Sequence, residues 1–182
     1  MSTGRPKASS RETISEAACE LFLEQGYERT AVADIAARAG VSRSSFFNYF
    51  ESKAAILWAG FDARIDELTK RLDDTGLREA VESIASDFTP DALALAFKNA
   101  DAMQVGDELE RDAGLRQARI AAAISQRLRA QGVGALRADV VGAAHAGAVM
   151  AAVRQWAQDG AGRRPLSVRL GDALDIARLT LA

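Results

Sequence analysis

Between Thr30 and Leu57 the chain reads TAVADIAARAGVSRSSFFNYFESKAAIL, and this stretch constrains the fold more than any other. Val32, Ile35, Ala36 and Ala39 recur at helical spacing before Gly40 interrupts them. Glycine takes a positive φ at little steric cost, so the chain can turn there within a few residues. Val41 is then placed to plug the space between two helices. Ser42 is a candidate cap for the second, predicted over about residues 43–49. Two short helices around a glycine turn, followed by a longer one from Ser52, form the pattern of a helix-turn-helix. In that arrangement the second helix lies in the DNA major groove.

The same periodicity predicts an all-α chain of nine helices in two parts. Ser9-x-x-Glu12 is a capping box, followed by an apolar stripe of Ile14, Ala17, Ala18, Leu21 and Phe22 that ends at Gly26. Thr30 is the expected cap of the second helix, and Phe46 and Phe50 should point into a three-helix core. The fourth helix carries Leu57, Phe61, Ile65, Leu68 and Leu72 on one side, so it can serve both parts. Further helices are expected over about residues 77–87, 90–104, 112–131 and 138–159, with Thr89-Pro90-Asp91 as a start and Gly106 as a break. Ser167 should cap the last. The division is a basic arm over 1–10, a head over 11–52 and a body over 53–182.

Composition narrows the class. Of 182 residues 48% are hydrophobic and only three are proline, which suits helices. No run of side chains looks apolar enough over about 18 residues to span a bilayer. The polar, basic start is unlike a secretory signal, and Cys19 is the single cysteine, so a cytoplasmic location is expected. One cysteine and one histidine, His145, leave no metal cluster, and no cofactor is expected. An enzyme would need clustered acid, base or nucleophile groups, and the sequence offers none.

The candidate DNA-contacting residues are Arg5, Thr30, Arg43, Ser44, Ser45, Phe47, Asn48, Tyr49 and Lys53. Ser44, Phe47, Asn48 and Glu51 share the helical face opposite Phe46 and Phe50. Arg43 suits a guanine edge or a phosphate, Asn48 an adenine edge, and Phe47 a thymine methyl. Ser44 and Ser45 stand at a helix N-terminus, where free N–H groups favour phosphate. Tyr49 and Lys53 suit phosphate contacts. Glu51 either points away or reads a cytosine amine. Residues 1–53 hold seven basic and seven acidic side chains, so binding must rest on placed residues and not on a broad positive field. The arm Gly4-Arg5-Pro6-Lys7 either enters a narrow minor groove or is a solubilising tail. The neutral head leaves open a ligand-binding module that does not bind DNA.

The set Ile14-x-x-Ala17-Ala18-x-x-Leu21-Phe22, Gly26-Tyr27, Thr30, Asp34-Ile35-Ala36, Ala39-Gly40-Val41-Ser42, Phe50 and Ser52-Lys53 resembles the tetracycline-repressor (TetR) family. That resemblance covers about residues 10–57. It implies a bacterial transcriptional regulator binding double-stranded operator DNA, with a body that encloses a ligand and forms a homodimer. Phe47 and Asn48 stand where the family often has tyrosine and histidine, and Glu51 where it often has lysine, so an operator cannot be borrowed from relatives. The run Phe46-Phe47-x-Tyr49-Phe50-x-Ser52-Lys53, with Trp58, Phe61-Asp62 and Ala151-Ala152-x-x-x-Trp156, is similar to the actinobacterial mycofactocin-type regulator subgroup, which implies an acyl-chain ligand.

In the body, the apolar residues Trp58, Phe61, Ile65, Phe88, Phe97, Met103, Ile120, Ile124 and Met150 are the candidates for an effector pocket. An acyl chain or a drug-like molecule would suit them. Ala143, Gly147 and Ala151 recur every four residues and would let another helix approach closely. Leu170, Leu174, Ala177 and Leu181 line one side of the last helix. Doubled about a two-fold axis, the two faces would make a four-helix dimer interface; packed within the chain, they would be core. The expected activity is repression, released by an apolar effector.

Overall fold

The computed structural model describes the backbone of residues 10–180 and the side chains of 11–179. Arg5, the Ser9 cap and Leu181 lie outside the described residues. Among those described, every regular element is helical. The head comprises α1 (Ser10–Gln25), α2 (Val32–Arg38) and α3 (Arg43–Phe47). The body comprises α4 (Lys53–Asp74), α5 (Leu77–Glu82) with a 3-10 turn over Ser83–Ala85, α6 (Ala92–Lys98), α7 (Ala100–Met103), α8 (Gly106–Ala130), α9 (Ala135–Gln158) and α10 (Leu166–Thr180).

The expected nine helices become ten because the segment after Pro90 divides. Asp91 caps α6, its Oδ1 accepting from the N–H groups of Leu93 and Ala94 at 3.1 and 3.2 Å. Pro90 therefore precedes the helix instead of opening it. Asn99 leaves helical geometry at φ −119°, and its Nδ2 donates to the Leu95 carbonyl at 2.9 Å, which separates α6 from α7. The break expected at Gly106 falls at Gln104, whose φ of 52° is left-handed; Gly106 begins α8. Ser167 lies inside the first turn of α10 and does not cap it.

The glycine turn behaves as its sequence demands. Gly40 has a φ of 67°, and the Val41 N–H donates back to the Ala36 carbonyl at 2.9 Å. That bond satisfies one of the orphan carbonyls at the end of α2. Ser42 and Ser52 cap α3 and α4 as their positions suggest, accepting from Ser45 N–H at 3.0 Å and Ala55 N–H at 3.1 Å. Thr30 does not cap α2. The Ala31 N–H there donates to the Asp34 carboxylate at 3.0 Å.

Packing is continuous from head to body. Ile14, Ala18, Leu21, Phe22, Ile35, Phe46 and Phe50 close the head core. The α4 stripe of Leu57, Phe61, Ile65, Leu68 and Leu72 is buried throughout. Each such side chain contributes about 1.5–3 kcal/mol by leaving water. Against α4 lies α8, and α8 in turn packs along α9. Gly142 on α9 makes that last approach close, since a methyl placed on it would sit 2.5 Å from the Ala121 carbonyl oxygen. By length and composition α9 would suffice to cross a bilayer, against the sequence expectation. Its many alanines raise the average, while its inner face is buried against α8 and α10.

Candidate nucleic-acid interface and its couplings

The N-terminus of α3 presents a knot of hydroxyls. Ser42 Oγ lies 2.9 Å from Ser44 Oγ and 2.8 Å from Ser45 Oγ, beside the free N–H groups of the first turn. Arg43 stacks over the Phe47 ring at 5.8 Å, and Phe47 meets the buried Phe46 edge-on at 5.3 Å. Phe47 and Tyr49 are 47% and 44% exposed, a high value for large rings, and Asn48 is exposed beside them. The surface therefore offers a guanidinium, an amide, a phenol and an apolar ring together. It matches the chemistry of base edges and phosphates in a groove.

Two expected contact residues are placed differently. Thr30 is only 1% exposed; its hydroxyl donates to the Gly26 carbonyl at 2.8 Å and accepts from Gln25 Nε2 at 3.3 Å. Its hydroxyl is consumed by the turn after α1 and is not available to DNA. Lys53 Nζ donates to the carbonyls of Tyr27 at 2.7 Å and Thr30 at 3.3 Å, and sits 4.0 Å from the centre of the Tyr27 ring. Its charge fastens α4 to the loop before α2, so it is a structural staple before it is a phosphate contact.

Arg11 is a residue that sequence spacing did not single out. Its guanidinium lies 5.3 Å over the Phe50 ring, which brings a cation from α1 to the far end of the reading segment. Only the tertiary fold makes that pairing, so no local pattern announces it. Arg38, by contrast, is taken up by Glu24 at 2.7 Å and Glu20 at 3.1 Å. The hydrogen bond from Arg38 holds the Glu24 carboxyl below its ordinary range. This pairing removes two of the head's acids from play, leaving Arg43 and Arg11 near the reading segment without a carboxylate in ion-pair distance among the described residues.

Tyr27 joins head to body. Its N–H donates to the Met103 carbonyl at 2.6 Å, and its ring packs on Phe22 at 5.1 Å. Burial first, and then the charges of Glu108 and Asp112, hold its hydroxyl protonated well above the ordinary tyrosine range; a hydrogen bond also links it to Glu108. Next to it, Gly26 at φ 87° lies beneath Gln104; another residue would be strained by that left-handed φ, and its Cβ would displace the Gln104 amide, 2.8 Å away. Farther along, arginines of α8 grip aspartates of α4. Arg116 forks onto Asp62 at 3.0 and 2.7 Å and stacks on Trp58 at 4.4 Å. Arg119 pairs with Asp66, and Arg127 with Asp73 at 3.7 Å.

The nine residues expected to line an effector pocket are packed together in the structure. Trp58, Phe61, Ile65, Phe97, Met103, Ile120, Ile124 and Met150 are buried in close contact, and Phe88 is half-buried. Trp58 interlocks with Phe61 and Phe97 at 6.0 and 5.9 Å, and Phe88 with Trp156 at 5.5 Å. Five surface clefts among the described residues are lined by other side chains. One of them, about 530 Å³, lies between α5, α9 and α10.

The outer face of α9 and α10 is apolar. Ala143 and Ala151 are exposed, and Gly147 and Ala177 partly so. Leu170 and Leu174 instead turn inward and are buried against their own chain, which is the correction to their expected place at an interface. Leu136, Val140, Ile176 and Leu179 take the outer positions that the sequence did not assign.

Comparison with known proteins follows the same outline. Residues 14–59 match the family model for bacterial regulatory proteins of the tetR family. A regulator of Mycobacterium tuberculosis named for mycofactocin biosynthesis, MftR, is 37% identical over 75 residues, covering 41% of this chain and 38% of that one. An HTH-type transcriptional repressor of the same organism is 30% identical over 129 residues, covering 68% of this chain and 67% of that one. The chain spans less than half the length of several curated relatives that it matches. Among solved structures, Thermus thermophilus FadR, a TetR family repressor in complex with lauroyl-CoA, is 27% identical with a TM-score of 0.50, covering 92% of this chain and 93% of that one.

Proposed function

This chain belongs to the tetR family of bacterial regulatory proteins, and on that premise we propose that it is a homodimeric repressor that binds operator DNA and leaves it on binding an effector. The observation that carries the reading is the exposed surface of α3, where Arg43, Phe47, Asn48 and Tyr49 stand together while the acids around Arg38 are neutralised. In this reading Arg43 and Asn48 address base edges, Phe47 a thymine methyl, and Tyr49, Ser44, Ser45 and Arg11 the phosphates. The dimer joins the outer faces of α9 and α10 through Ala143, Gly147, Ala151 and Ala177 against the neighbouring larger side chains. It sets two heads one DNA turn apart, about 34–36 Å, or a multiple of it.

Control passes through α4. This helix begins at Lys53, five residues after the α3 cap Asn48, and runs 22 residues, about 33 Å, into the body. Its start is stapled to the head by Lys53 and its middle to α8 by the Arg116–Asp62 fork. An effector that favours a shifted α8 tilts α4 and takes the heads out of register with successive grooves. The effector must bind the released state better than the DNA-bound one, and that ratio sets the size of the switch. Similarity to a FadR that holds lauroyl-CoA supports an effector with an apolar chain.

Fluorescence anisotropy with DNA from upstream of the protein's own gene tests the reading. Saturable binding to a palindromic segment, lost with Arg43→Ala and Asn48→Ala together, is the expected result. Binding that is no tighter than to scrambled DNA at the same salt would refute it.

A further inference from the structure

We propose that the loop joining α9 to α10 is a second DNA-contacting surface, where Arg163 and Arg164 hold phosphates of the operator segment between the two half-sites. The loop borders a cleft of about 310 Å³ lined by Trp156, Asp159, Gly160, Arg163, Arg164 and Arg169. Asp159 is the one carboxylate of that lining, and it pairs with Arg169. A hydrogen bond from Gln155, then the charges of Arg169 and Arg164, hold its carboxyl below the ordinary range. One carboxylate against three guanidiniums leaves the lining positive. Arg163 and Arg164 are exposed, and neither has a carboxylate within ion-pair distance among the described residues. Planar, permanently charged guanidiniums of this kind suit phosphate oxygens.

The loop is held in one shape from within. Trp156 Nε1 donates to the Arg164 carbonyl at 2.9 Å, and the Arg163 N–H donates to the Gly160 carbonyl at 3.1 Å. Gly160 and Gly162 take left-handed φ values of 97° and 93°, which turn the chain sharply on either side of Ala161. The Arg163 side chain lies back across Gly160, where a Cβ would stand 3.2 Å from its Nε. Backbone fixed in this way presents the two guanidiniums with less ordering left to do on binding.

Its place in the fold points it toward DNA. Helix α8 starts beside the head, where Glu108 meets Tyr27, and α9 runs back along it, with Arg154 on Glu110 at 2.9 Å. The end of α9 therefore returns to the head side of the body. There Gly162 lies against Pro90, and Asp91 lies against Gly60 of α4. Gly60 is seven residues beyond Lys53, so this level stands at most about 10 Å above the start of α4. A reading helix sits in a major groove about 8.5 Å deep, so the phosphate rims rise beside the head and narrow the remaining gap to the reach of an arginine. With two heads one turn apart, the intervening minor groove and its phosphates face the body. The loop is also turned from the face given to the partner chain. Trp156 follows Gly147 by nine residues, about two and a half turns, and so stands on the opposite side of α9.

This role rests on the regulator reading, and operator titrations of the full chain between about 50 and 200 mM salt test the two apart. Each phosphate contact adds about 0.9 to the slope of log affinity against log salt, so Arg163→Ala/Arg164→Ala, acting in both protomers, should lower that slope by about 3–4. Affinity near the middle of the range should fall at least about tenfold, while the melting temperature and the sedimenting dimer stay as in the parent. Arg163→Lys/Arg164→Lys should recover most of the slope, since the charge is kept. A duplex with neutral methylphosphonates between the half-sites should weaken the parent to the level of the alanine variant and leave that variant unchanged. An unchanged slope in the alanine variant, or equal loss by parent and variant on the neutral duplex, would overturn the proposal while the regulator reading stands. An alanine variant that sediments as a monomer would assign the loop to the dimer contact and overturn it too. Pyrophosphate that binds the parent and not the variant by calorimetry, with the neutral duplex bound as tightly as the native one, would give the loop to a free anion and sink the DNA role. A parent that binds no operator refutes the regulator reading, and this role with it.

Discussion

Gly142→Ala and Gly114→Ala place the same methyl on the two paired helices α9 and α8, and the structure gives them opposite signs. At Gly142 the new carbon would lie 2.5 Å from the Ala121 carbonyl oxygen and 3.3 Å from the Ser125 nitrogen. Ordinary contact begins at 3.4 Å, so α8 and α9 must part by roughly 0.9 Å. Both obstacles are backbone atoms, and no side chain can swing away to make room. Overpacking of this kind costs about 1–3 kcal/mol, and a clash against backbone belongs in the upper half of that range. Alanine's better helix propensity returns about 1 kcal/mol, leaving a net loss of about 1–2 kcal/mol. For a chain of this size each kcal/mol moves the melting temperature by about 2–4 °C, so Gly142→Ala should melt about 2–8 °C lower. At Gly114 no atom lies within 4 Å of the new methyl, and only the propensity term remains. That variant should gain about 0.5–1 kcal/mol and melt about 1–4 °C higher. Thermal unfolding by circular dichroism, at one fixed protomer concentration, reads both. A Gly142→Ala protein that melts at or above the parent would refute the close approach of α8 and α9.

The other expectations concern the head, the interface and the thiol. Arg43→Ala should weaken operator binding by about 1–3 kcal/mol in an anisotropy titration, and unchanged affinity would remove it from the interface. Ala151→Glu should give a monomer at micromolar concentration by analytical ultracentrifugation, because it puts a charge on the small-residue face; an intact dimer would place the interface elsewhere. Lys53→Met should lower stability by about 1–2 kcal/mol in urea unfolding, since two carbonyls lose a charged donor. If only DNA affinity falls, Lys53 is a phosphate contact and not a staple. Burial, then the charges of Asp91 and Glu20, push the Cys19 thiol up from 9.0 to about 11. Above pH 9 the unfolded chain releases this proton while the folded chain keeps it, so stability should fall as pH rises toward 11. The slope of stability against pH in that window should be shallower for Cys19→Ala; equal slopes would show that the thiol does not contribute.

Local rules made the head legible. Gly40, Ser42 and Ser52 do what their chemistry requires, and the Phe46–Phe50 pair closes the core at 6.0 Å. The α4 stripe was equally plain, because five apolar residues at helical spacing have one way to hide. Failures came where a competing partner, near in the chain or far from it, outweighed the expected one. Thr30 is a good cap by type, yet the Gly26 carbonyl reaches its hydroxyl first. Lys53 reads as a phosphate contact until the Tyr27 and Thr30 carbonyls are found beneath it. Periodicity separates apolar residues from solvent but does not distinguish a packed core from a lined hollow. Trp58 and Phe97 therefore could not be told from pocket residues by spacing. Leu170 and Leu174 failed for the same reason in reverse, since helix geometry fixes which residues share a face and not what that face meets.

The seat of Gly26 under Gln104 has a consequence for how this protein can be recombined. A DNA reader of about fifty residues invites grafting: exchange the head, keep the sensor, and gain a new operator for an old signal. The seam would be cut at Ser52, where the chain passes from one to the other. But the head also rests on a distant patch, with Gly26 against Gln104, the Tyr27 amide on Met103 and its phenol on Glu108. A donor head with any other residue in place of Gly26 would carry the strain of a left-handed φ of 87° and push the Gln104 amide from its seat. The transplantable unit is therefore discontinuous, residues 11–52 together with the matching surface at 103–108. A chimera that carries both pieces should switch, whereas one spliced only at Ser52 should bind DNA but respond poorly to its signal.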